Sequence, residues 1–184
     1  MRTKRGEGGV TLIEVAVVMA IVAIMALFLA PAIGEWVDNF RIRQAGREMS
    51  SDLQFAKMKA ISTGKYCAVV FNQDVGGTVY DYVIFPDYDN DLALDAGNET
   101  NDIFKTASLN RNIVFDTAQG GGDGIDFPDV NSHPAFTFNP KGMPRDNSGS
   151  VPMPKSDIFL RNTKNNKGQQ VTISPIGGIS ANEN

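Results

Sequence analysis

Residues 8–33 read GGVTLIEVAVVMAIVAIMALFLAPAI, and how this stretch is read decides how the rest of the chain is read. From Val15 to Ile33 every residue is apolar. A bilayer core about 30 Å thick is crossed by about 20 helical residues, so this run predicts a membrane-spanning helix. Arg2, Lys4 and Arg5 precede it, while Glu35 and Asp38 follow. The excess of cations before the span places the N-terminus in the cytoplasm and everything after Gly34 on the far side. A cleaved secretory signal is the alternative, with Ala30-Pro31-Ala32 as the small-residue site. Proline within that triplet and the amphipathic continuation beyond it argue against removal of the span.

Glu14 interrupts the apolar stretch. An ionisable group this close to a span is a functional-site hypothesis by default. Its bland reading is a carboxylate that snorkels to the cytoplasmic edge. Pro31 removes one helix hydrogen bond near the end of the span. Pro31 and Gly34 therefore mark either an ordinary kink or a built-in soft point.

Beyond Gly34 the helical period persists. Trp36, Phe40, Ala45, Met49, Leu53, Ala56 and Ala60 recur at spacings of three to five, with Arg41, Arg43, Arg47, Lys57 and Lys59 between them. This is an amphipathic stripe with a charged back. Gly64 is a suitable residue just past the helix end. Residues 10–63 thus read as one long helix. Trp36 and Phe40 sit at its junction, as interfacial anchors or as contacts with other helices.

After Gly64 the period changes. Residues 66–71 and 78–85 read as strands around a turn at Asp74-Val75-Gly76-Gly77. Residues 112–115, 135–139, 157–161 and 170–174 read as further short strands, separated by Gly120–Gly124, Pro140-Lys141-Gly142, Asn165–Gly168 and Pro175–Gly178. One long helix followed by strands gives an α+β class, with the helix packed on a small antiparallel sheet. The expected organisation is a leader at 1–9, a membrane half of the helix at 10–34, an amphipathic half at 35–64 and a β-rich head at 65–184.

Composition narrows the function. The 184-residue chain has a formal charge of −4, against the basic surface usual for a duplex binder. Its one cysteine, Cys67, excludes an internal disulfide. Lying in Tyr66-Cys67-Ala68-Val69-Val70-Phe71, it reads as a small buried hydrophobe. Asp87-Tyr88-Asp89-Asn90-Asp91, with Asp95 and Glu99 beyond, has the alternating oxygens of a calcium loop. Leu92 stands where an EF-hand needs glycine and Asn98 where it needs glutamate, so the run reads first as an exposed acidic loop, with a looser calcium site at Asp87, Asp89, Asp91 and Asp95 as the alternative. His133, before Pro134, reads as a loop residue without a metal or catalytic partner. No nucleophile elbow, P-loop or HExxH motif occurs. No enzyme and no cofactor are expected.

The basic leader, Gly9, the apolar run and Glu14 together resemble the class III signal of type IV prepilins and type II secretion pseudopilins. The resemblance implies that prepilin peptidase cuts between Gly9 and Val10, that Val10 becomes an N-methylated N-terminus, and that Glu14, fifth in the mature chain, pairs with a neighbour's N-terminus during assembly. Val10 departs from the Phe or Met usual at that place. Pro31 and Gly34 look like the family's helix-softening feature. Residues 53–61 followed by Gly64, Leu109–Ile113, Phe136–Gly142 and Val171–Gly178 resemble the GspH/FimT family of minor pseudopilins and minor pilins. That resemblance implies a filament subunit of a type IV pilus or a type II secretion pseudopilus. Its partners would be prepilin peptidase, other pilins or pseudopilins and the inner membrane. The head would be periplasmic before assembly. Glu14 argues against the specialised tip subunit that lacks this carboxylate. Members proposed to bind DNA carry Gly-Arg-x-Arg near the C-terminus. Here Gly177-Gly178-Ile179-Ser180 stands there, with Arg161, Lys164 and Lys167 as a small basic cluster nearby. DNA binding for uptake is thus the disfavoured alternative, alongside a membrane-tethered enzyme or ligand-binding domain.

Overall fold

The computed structural model describes residues 9–95, 97–146 and 153–184, with only the backbone described at 27–32. The leader expected at 1–9 thus lies outside the described residues except for Gly9. The chain forms two compact units, one ending at Val37 and the other running Asp38–Asn184. Helix α1 (Leu12–Thr63) contributes to both. Gly64 follows it at φ 67°, a left-handed conformation that glycine adopts without steric cost.

In the first unit, described apolar side chains run from Val15 to Ala26. Among the described residues no helix is long and apolar enough to cross a membrane. The side chains at 27–32, including Pro31, lie outside the described residues. The backbone there is helical, as it is at Gly34.

In the second unit α1 buries Ile42, Ala45, Met49, Leu53, Ala56 and Ala60. Their spacing of three and four keeps one stripe toward the core. The stripe expected from Trp36 begins only at Ile42. Trp36 is 66% exposed and Phe40 52% exposed, because Ile42, not Phe40, falls on the core-facing arc.

Two antiparallel sheets receive that stripe. The first runs β3–β2–β1–β6–β5, with β7 pairing β6: β1 (Tyr66–Val75), β2 (Thr78–Asp87), β3 (Lys105–Ala107), β5 (Asp129–Val130), β6 (His133–Phe138) and β7 (Pro144–Arg145). The second runs β10–β9–β8–β4: β4 (Ile113–Phe115), β8 (Ser156–Asn162), β9 (Gly168–Ile173) and β10 (Ile179–Glu183). A short helix, α2 (Asn98–Asn101), lies between β2 and β3. The fold is α+β, with the long helix packed on antiparallel strands. The expected strands are all present. β3, β5, β7, β10 and α2 are additions, and His133, expected in a loop, opens β6.

Each sheet obeys local chemistry. Val75 pairs Thr78 across a two-residue turn in which Gly76 and Gly77 have φ of 63° and 85°. Two positive φ values fit the right-handed twist of a hairpin, and Asp74 Oδ1 accepts the Gly77 N–H at 2.8 Å. Phe71 of β1 meets Phe115 of β4 edge-on at 5.8 Å and so joins the two sheets, while Phe127, just before β5, stacks on Phe136 of β6 at 4.5 Å. Such pairs contribute about 0.5–1.5 kcal/mol each beyond area burial. Polar ties fix the helix to the second sheet. Asn162 Nδ2 donates to the Asp38 carbonyl at 3.0 Å, and Lys57 Nζ donates to the Gly177 carbonyl at 2.8 Å.

β1 is buried on both faces. Cys67, Val69 and Phe71 face α1 and the aromatic core, while Ala68 and Val70 join Val83, Phe85, Leu92, Val130 and Ala135 in a second cluster. Leu92 belongs to the acidic segment after β2. That segment therefore covers the outer face of the first sheet and is not a wholly exposed loop.

Candidate functional site

At the start of the described chain, Gly9 has open space where a Cβ would stand, and Val10 is 71% exposed. Thr11 precedes α1. Its hydroxyl accepts the Glu14 N–H at 3.3 Å and its carbonyl accepts the Val15 N–H at 3.2 Å. Thr11 thereby satisfies helix donors that have no partner within the helix. Thr11-Leu12-Ile13-Glu14 is the Thr-x-x-Glu spacing of a capping box, a signal present in the sequence beside the membrane-edge carboxylate. Glu14 also lies in the first turn, where the helix dipole favours a negative charge. Glu14 thus has a local reason to stand where it does, besides any role between subunits.

Around this carboxylate the helix is apolar on every side. Leu12, Ile13, Val15, Val17, Val18, Met19, Ile21, Val22, Ile24 and Met25 are all more than half exposed. A helix that is hydrophobic all round requires lipid or other helices around it.

The acidic segment forms a second group. Asp87 is 1% exposed and Glu99 2% exposed, which corrects the expectation of an exposed loop for these two. Burial pushes the Asp87 carboxyl up to about 6 against the Asn90 and Leu92 N–H groups that steady its charge, and the neighbouring Glu99 and Asp91 charges raise it further. Burial likewise raises Glu99, opposed by the Tyr88 and Asp95 N–H groups. Glu99 Oε1 accepts the Tyr88 N–H at 2.8 Å and Oε2 the Asp95 N–H at 3.1 Å. Asp89, Asp91 and Asp95 remain exposed.

The small basic cluster is partly engaged within the fold. Arg161 Nε meets Asp116 Oδ1 at 3.1 Å and its Nη1 donates to Asn166 Oδ1 at 3.2 Å.

Two family models match the chain. One, the prokaryotic N-terminal methylation motif, covers residues 4–30. The other, type II transport protein GspH, covers residues 45–177. A type II secretion system protein H of Xanthomonas campestris pv. campestris is 32% identical over 61 residues, which is 33% of this chain and 36% of that protein. The chain therefore aligns with about a third of that relative's length. Among solved structures, the type IV minor pilin FimU of Pseudomonas aeruginosa aligns at a TM-score of 0.49 and 15% identity, over 80% of this chain and 92% of that one. The minor pseudopilin EpsH of the Vibrio cholerae type 2 secretion system aligns at 0.47 and 11%, over 78% and 97%. With residues 45–177 of 184 matched, the protein belongs to the GspH family of type II transport proteins.

Proposed function

We propose that this protein is a minor pseudopilin or minor pilin, a structural subunit that enters a filament of a type II secretion system or a type IV pilus. The observation that carries the reading is the methylation motif at 4–30 laid over a helix whose apolar side chains are exposed on every side. In the precursor, residues 10–34 anchor the chain in the inner membrane with the N-terminus cytoplasmic and the head periplasmic. In the filament, the same apolar surface packs against the helices of other subunits.

Prepilin peptidase is the processing partner, cutting between Gly9 and Val10. Among the described residues nothing lies within 4 Å of where a Gly9 Cβ would stand, which suits entry to a protease. The new ammonium at Val10, methylated, then meets the Glu14 carboxylate of an adjacent subunit. Each ion alone is costly in an apolar surround, and pairing offsets much of that cost. The pair therefore acts mainly as a register device between subunits. Pro31 and Gly34 give the helix a point at which it loosens on packing. The head's role is structural and not enzymatic, with the β-rich unit displayed outside the helical core.

The reading is tested by expressing Glu14→Ala in cells that assemble the filament. The variant is expected to be cleaved after Gly9 and to remain in the membrane fraction, with incorporation into sheared filaments reduced by about tenfold or more. Incorporation at the level of the unmodified chain contradicts the assembly role of Glu14.

A further inference from the structure

We propose that Asp87, Asp89 and Glu99 form a divalent-cation site of the calcium type, with Asp91 and Asp95 on its exposed rim. This inference does not depend on the filament reading.

Asp87 ends β2 and Glu99 lies in α2, so two buried carboxylates from separate elements converge. Asp87 Oδ1 accepts the Asn90 N–H at 2.7 Å, whereas Oδ2 is buried with no hydrogen-bond partner. Among the described residues, no lysine or arginine forms an ion pair with either carboxylate. A buried carboxylate oxygen left without a partner is expensive, and buried charges are ordinarily paired or bound to metal.

The geometry suits one ion. One carboxylate oxygen each from Asp87, Asp89 and Glu99 lie within 4.8 Å of one another. Calcium binds oxygen at about 2.3–2.6 Å, so ligands across the ion stand at most about 5 Å apart. Asp89, Asp91 and Asp95 meet the same separation and share Asp89 with the inner group. The donors are all oxygen, which selects a hard cation. Several carboxylates on one short segment favour calcium, which accepts six to eight oxygens in flexible geometry, over magnesium, which keeps most of its water.

The backbone is shaped to match. Asn90 and Leu92 have φ of 65° and 64°. For Leu92, at the place where an EF-hand loop has glycine, this conformation is strained. It is held because the Leu92 side chain is buried in one apolar cluster with Val70, Val83 and Phe85. A cation at this place joins the end of β2 to α2 and fixes the segment that covers the outer face of the first sheet.

The test uses the full chain in detergent micelles, stripped of metal with a chelator. Calcium titration is expected to show one saturable site and a rise in Tm, since a ligand that binds only the folded state stabilises it. Magnesium at equal concentration is expected to give a smaller rise. Asp87→Asn and Glu99→Gln are each expected to weaken calcium binding by roughly tenfold or more, and Asp126→Asn to leave it unchanged. Terbium serves as an independent probe. Tyr88, between two ligands, is expected to sensitise its luminescence, calcium to displace it, and Tyr88→Phe to remove most of the signal. No calcium-dependent heat or Tm change in the folded protein overturns the proposal. So does equal calcium affinity in the Asp87 and Glu99 variants, or terbium luminescence unaltered by Tyr88→Phe.

Discussion

Tyr82 of β2 donates its phenolic hydrogen to Asp52 Oδ2 of α1 at 2.6 Å, while Lys105 Nζ of β3 reaches Asp52 Oδ1 at 2.6 Å. Both oxygens of one buried carboxylate are thereby used to tie the long helix to two neighbouring strands. Burial and this hydrogen bond push the Tyr82 phenol well above its ordinary range, so it stays a donor throughout the accessible pH range. Tyr82→Phe is expected to cost about 1 kcal/mol, the net value of one hydrogen bond. Asp52→Ala is expected to cost about 2–3 kcal/mol, because it leaves a buried hydroxyl and a part-buried ammonium without their acceptor. Urea unfolding of both variants measures the difference, and an Asp52→Ala cost no larger than that of Tyr82→Phe contradicts the shared-carboxylate account.

Cys67 is buried in β1, and burial, with a smaller contribution from the Asp87 charge, pushes its thiol up to about 12. The thiolate is the reactive form. A disulfide reagent at about pH 8, near the ordinary thiol range, is expected to leave the folded protein unmodified over hours and to label it stoichiometrically in denaturant. Rapid labelling without denaturant contradicts the burial of β1 on both faces.

Asp116 is held below the ordinary carboxylate range. The Gln119 side-chain amide is the largest cause; burial opposes it, and the Ala118 N–H and Arg161 add to the lowering. A carboxyl whose pKa falls on folding contributes stability above its unfolded value, about 3.9, and loses that contribution as pH falls through the lowered value. Stability is therefore expected to decline on acidification below about pH 4, and Asp116→Asn to flatten that part of the profile. Chemical unfolding at several pH values between about 2 and 6 covers the window. A profile in the variant as steep as in the unmodified chain removes Asp116 from the explanation.

The sequence carries the long helix openly, through its apolar run, its stripe and Gly64. The β1–β2 hairpin is equally plain, because Gly76-Gly77 is flanked by β-branched and aromatic residues. β10 is not legible in the same way. Ile179–Glu183 is a polar edge strand whose evidence is its backbone pairing with β9, which side-chain patterning does not report. The stripe at Trp36 and Phe40 misleads because a helical period alone does not say where the packing partner begins. The burial of Asp87 and Glu99 is hidden for a related reason. Asp-rich composition reads the same in a solvated loop and in a segment folded over a sheet, and only Leu92, seated among Val70, Val83 and Phe85, separates the two. At the N-terminus the reverse holds. Thr11-x-x-Glu14 is legible as a cap from its spacing alone, and the apolar run that follows it does not alter that local chemistry.

We propose that this chain is processed and assembled as a pilin-like subunit. The most direct measurement is the intact mass and N-terminal sequence of the protein taken from its native membrane. A mature chain that begins at N-methylated Val10 is the predicted result. A chain that still carries its leader, or one cut after Ala32, contradicts the account, because neither presents the Val10 ammonium to the Glu14 carboxylate of a neighbouring subunit.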